Sequence, residues 1–156
     1  MTLDPKIVTA HTQIDDYSCI PMSVEYVLKL AGKVPPDYFE LQQAWKNKTT
    51  GSFGDFDKRK IAGVWFQLRF SLARDEHFPL ADLFHTIETE LAAGRYVIIS
   101  LDVHGGWHMF VVYERLADGE FRAISKLKGG RDIGTDQVRS IVTKMRGTDI
   151  LTYEFV

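Results

Sequence analysis

GRYVIISLDVHGGWHMFVVYERLADGEFRAIS, residues 94 to 125, is where the hydrophobic period of the chain changes. From Arg95 onward, RYVIISLDV, GWHMFVVYERL and EFRAISKL are rich in β-branched and aromatic side chains and read as strands. The second and third runs are joined by Asp118-Gly119, a dipeptide that favours a tight hairpin turn. The glycines at 105 and 106 predict a hairpin between the first and second runs. After this stretch, TDQVRSIVTKM predicts a short helix over residues 135 to 145, and DILTYEF a last strand that closes the sheet.

Upstream of Gly94 the period is helical. CIPMSVEYVLKLA, residues 19 to 31, has apolar side chains at 20, 24, 27, 28 and 31 and a stop at Gly32, so Cys19 opens a helix. Ser18 is a candidate N-cap, and Pro21 is tolerated in a first turn. PPDYFELQQAWKN predicts a helix from about residue 37 to 46, with Asp37 and Glu40 spaced as a capping box. DKRKIAGVWFQLR predicts a third helix over residues 57 to 69. A fourth is marked by the stripe Leu80, Leu83, Phe84, Ile87 and Leu91, with Gly94 ending it. Helices first and an antiparallel sheet second is an α+β arrangement.

The chain has 156 residues, enough for one domain spanning 1 to 156 with a core that can hold a preorganised site. Its 19 basic and 21 acidic residues give a net charge of −2, and they are spread rather than blocked, which argues against a nucleic-acid partner. No run approaches the roughly 20 apolar residues of a membrane span, and the N-terminus lacks a basic segment followed by an apolar one. The single cysteine excludes an intrachain disulfide, so the cytoplasm is the expected compartment.

That cysteine lies in QIDDYSCIPMS, residues 13 to 23. A helix N-terminus supplies partial positive charge that favours a thiolate, so Cys19 is a candidate nucleophile. A nucleophilic thiol needs a base, and His108, at the start of a strand after Gly105-Gly106-Trp107, is the candidate. Gln13, on the loop before the helix, could join the Cys19 N–H in holding an oxyanion. Together these residues predict acyl transfer from an amide or ester carbonyl.

Gln13, Asp15, Cys19 and Pro21 resemble the Gln-x-Asp-x-x-x-Cys segment of papain-like cysteine peptidases, in particular the leader peptidases that trim double-glycine leaders in bacteriocin exporters. The stretch 94 to 125 is similar to that family's second half, and the segment from 135 to its closing helix and strand. The resemblance implies a papain-like fold, N-terminal helices on a C-terminal antiparallel sheet, in a stand-alone relative without a transporter segment. It implies a cysteine peptidase or amidase with Gln13 as oxyanion donor, Cys19 as nucleophile and His108 as base, no cofactor, and a peptide substrate. Two positions depart from it. Ile20 stands where the family usually has Gly, and the family's orienting Asp falls near Ser125-Lys126, neither of which is a carboxylate.

A three-residue turn at His104, Gly105 and Gly106 would bring Asp102 opposite His108, where its carboxylate could orient the imidazole. A one-residue slip would separate them to opposite faces. Metal ligation by Asp102, His104 and His108 is the weaker reading of the same hairpin. Trp107 could line a substrate groove or pack at the rim. Beside hydrolysis stand deamidation or acyl transfer with the same residues, and an impaired module that binds a peptide without cleaving it.

Overall fold

The computed structural model describes residues 1–103 and 105–156. Its helices are α1 (Pro5–Ala10), α2 (Cys19–Leu30), α3 (Glu40–Trp45), α4 (Leu80–Ala92) and α5 (Val138–Met145). Its strands are β1 (Arg59–Ile61), β2 (Val64–Arg69), β3 (Val97–Val103), β4 (Gly106–Arg115), β5 (Phe121–Lys126), β6 (Asp132–Thr135) and β7 (Ile150–Phe155). The strands form one antiparallel sheet in the order β1-β2-β7-β3-β4-β5-β6. The α+β class read from the sequence is the architecture observed.

Each face of the sheet buries a separate core. On one face Ile98, Met109, Val111 and Leu151 pack against Val24, Val27 and Leu28 of α2. On the other, Ile99, Leu101, Phe110 and Val112 meet Leu83, Phe84 and Ile87 of α4 and Val138 and Val142 of α5. Fully burying a Val, Leu, Ile or Phe side chain contributes about 1.5–3 kcal/mol, so both layers are held firmly. Because α2 is sandwiched from Ile20 to Lys29, even its polar Ser23, Glu25 and Lys29 are buried. Among the described residues no helix is long and apolar enough to cross a membrane.

Two expectations are corrected. Residues 57 to 69 form the β1–β2 hairpin, not a helix: Ala62 and Gly63 both take positive φ, 51° and 77°, as a tight turn between twisted strands requires. The aromatic run Val64-Trp65-Phe66 then pairs with β7, whose neighbours supply more burial than a lone helix here could. The helix predicted over 37 to 46 is shortened to Glu40–Trp45, with Phe39 rather than Asp37 at its N-cap and no capping box. The last strand expected to close the sheet, β7, joins it from within, between β2 and β3.

Candidate functional site

The loop before α2 is fixed by one buried amide. Gln42 of α3 accepts at Oε1 from the Ile14 N–H (2.7 Å) and the Ser18 hydroxyl (2.8 Å). Its Nε2 donates to the Thr12 carbonyl (3.0 Å) and to Glu25 (2.8 Å). Ser18 does not cap α2 with its side chain; its hydroxyl accepts from the Asp15 N–H instead. This lattice sets where α2 begins, and so sets the position of Cys19.

Cys19 lines a cleft of about 510 Å³ between the N-terminus of α2, α3 and the sheet. Ile20, Trp45, Phe53, Trp107 and Met109 form its apolar surface, with Ser100 and Asp149 among its polar groups. Burial pushes the Cys19 thiol above its ordinary range; the N–H groups of Cys19 and Ile20 pull the other way and are outweighed.

Gln13 is buried, and its amide N–H groups donate to the carbonyls of Asp15 (2.7 Å) and Asp16 (3.2 Å). Both donors brace the turn that leads into α2, and Gln13 is not among the cleft-lining residues.

The β3–β4 register decides where His108 points. Val103 pairs with Gly106, Asp102 with Trp107, Leu101 with His108 and Ser100 with Met109. Paired residues share a face and neighbours along a strand alternate. Ser100, Asp102, Trp107 and Met109 therefore lie on the α2 face, and Leu101 and His108 on the α4–α5 face. The expectation that Asp102 faces His108 is corrected: Asp102 pairs with Trp107 and His108 with Leu101, which sends the carboxylate and the ring to opposite faces and also removes their common face for a metal. His104, named in that turn and in the metal reading, lies outside the described residues.

Trp107 is on the cleft and 45% exposed, as a groove residue would be. At the expected acid position, Ser125 is buried and donates its hydroxyl to the Met109 carbonyl (2.7 Å), steadying β4. Lys126 is buried too, its amine paired with Asp132.

The sequence reading missed Met109, Ser100 and Asp149. The Thr148 hydroxyl donates to the Ser100 carbonyl (2.6 Å), and the Ser100 hydroxyl donates to the Met109 sulfur (3.3 Å). Burial raises the Asp149 carboxyl, opposed by Ser100 and by the charge of Arg74. The Trp107-x-Met109-x-Val111 spacing marks one strand face, but His108-x-Phe110-x-Val112 is an equally apolar alternative. Comparison of the chain with protein-family models, curated proteins and solved structures gives no significant match.

Proposed function

We propose that this chain is a papain-like module that holds a peptide in the cleft above Cys19 without cleaving it. The parity of β4 carries the reading: the strand gives Trp107 and Met109 to the face of Cys19 and His108 to the other. A thioether neither accepts a proton from a thiol at neutral pH nor delivers one to a leaving amine. Among the described residues, none that lines the cleft carries an imidazole. What remains is an apolar, aromatic-walled groove of the kind that anchors peptide side chains. The order of elements, a cysteine-bearing helix ahead of an antiparallel sheet, supports papain-like ancestry. The single cysteine fits a reducing compartment, and we assign the module to the cytoplasm.

Cysteine-dependent hydrolysis is the second reading, favoured by the thiol at the N-terminus of α2 on the cleft. One experiment separates them. A library of fluorescein-labelled peptides is screened for anisotropy changes and the bound peptides are then recovered for mass spectrometry. Binding with intact peptides, weakened about tenfold or more by Trp107→Ala and little by Cys19→Ala, is the expected result. Cleavage products that vanish in Cys19→Ala would establish the hydrolase instead.

A further inference from the structure

Trp107 and Asp149 each line two hollows: the Cys19 cleft, and a smaller one of about 210 Å³ bounded by Ser71, Leu72, Arg74 and Thr148. The two hollows meet at this pair, so a peptide running along the cleft reaches Asp149 at its end. The other charges on the cleft have partners: Asp16 pairs with Lys128 (3.2 Å) and Lys48 with Asp55 (3.0 Å). Asp149 is half-buried and lines both hollows beside the neutral Ser100.

A cation at this pair comes from an exposed loop. Arg74 lies between β2 and α4 in a segment without helix or strand, and its Cζ stands 4.8 Å over the Trp107 ring. An aromatic face with a carboxylate beside it is a seat for a guanidinium or ammonium group. The chain's own Arg74 covers that seat. An exposed loop arginine is held there weakly, since exposed charge contacts contribute little.

We infer that the cleft selects peptides with a basic side chain, whose guanidinium or ammonium displaces Arg74 from the Trp107 ring and pairs with Asp149. The inference rests on the peptide-binding reading and gives it a substrate class. Charge complementarity favours a cation over a neutral side chain of the same shape, because Asp149 lies where solvent screening is reduced.

The test uses acetyl-Leu-Leu-Arg-amide and its citrulline counterpart, which keeps the shape and loses the charge. Binding is followed through the Trp107 indole N–H and the Met109 methyl resonances, assigned with Trp107→Phe and Met109→Leu. The arginine peptide should bind about fivefold to tenfold tighter than the citrulline one. Asp149→Asn should erase that preference without abolishing citrulline-peptide binding, and Arg74→Gln should tighten the arginine peptide. Equal affinities in the wild type, with both peptides moving Met109, would overturn the cation seat and leave the peptide cleft standing. Persistence of the preference in Asp149→Asn would overturn the role of Asp149. If neither peptide moves Trp107 or Met109, the inference is overturned and the peptide-binding reading falls with it.

Discussion

Met109 and His108 are adjacent in sequence and serve opposite sides of the sheet. The Met109 sulfur accepts from the Ser100 hydroxyl (3.3 Å) within the wall of the cleft, so the position that could offer Cys19 a base offers it a soft apolar surface. This parity makes a direct residue-scale prediction. Met109→His puts an imidazole on the face of Cys19, and a nearby imidazolium stabilises a thiolate. Alkylation of Cys19 by iodoacetamide at pH 7 should speed up about tenfold or more, while His108→Ala should leave the rate near that of the wild type. Stopped-time mass spectrometry of the intact protein measures both. A large loss of reactivity in His108→Ala would show that the ring serves the thiol after all.

At the scale of elements, α2 and α3 are joined through charges that burial holds close to neutrality. The carboxylate of Glu25 accepts from Leu41 N–H, Gln42 N–H and Gln42 Nε2, yet burial pushes it up to about 7. Lys29 stands 2.9 Å from His11 Nδ1 and 3.6 Å over the Phe39 ring, and is lowered to about 8, chiefly by burial. His11, whose Nε2 lies 2.9 Å from the Met22 carbonyl, is lowered to about 3 by burial and by the charge of Lys29. The signs follow from proton uptake. Glu25 binds more protons folded than unfolded between about 4.5 and 7, so its contribution to stability grows on acidification and is lost as pH rises through 7. His11 binds fewer protons folded between about 3 and 6.5, so its contribution falls on acidification through that range. From about pH 6.5 to 4.5 the two oppose each other. Urea unfolding should accordingly show little net pH dependence from this pair in the wild type. In His11→Asn, stability relative to wild type should rise by about 1 kcal/mol per pH unit on acidification across that window. Parallel pH profiles for the two proteins would contradict the assignment.

For the whole molecule, the sheet is a middle layer, and this explains what the sequence could and could not reveal. Helix α2, α4 and the β3–β4–β5 meander were legible because their apolar periods and glycine stops agree with the final packing. The face of β4 was not, since Met109-x-Val111 and Phe110-x-Val112 are both buried, one in each core, and alternation then carries no information about which side is which. Turn length decides instead, and Gly105-Gly106 accommodates either two or three residues. The β1–β2 hairpin was hidden because its strands are short and their partner, β7, is the last element of the chain. The cleft residues Ser100 and Asp149 come from β3 and the loop before β7, brought to Cys19 only by the strand order. Cys19 at a helix start and Trp107 on a groove were legible; that Met109, next in sequence to His108, lines the cleft was not.

The central claim is that this fold keeps a cysteine in a cleft where none of the described lining residues is an imidazole. The most direct test is the pH dependence of Cys19 alkylation in the wild-type protein, set beside a cysteine in an unstructured peptide. Burial without an imidazole partner predicts slower reaction than the free thiol at every pH from 6 to 9, and an inflection above the ordinary thiol range. A reactive plateau reaching down to neutral pH or below, with an inflection under 7, would contradict the account and make Cys19 a working nucleophile.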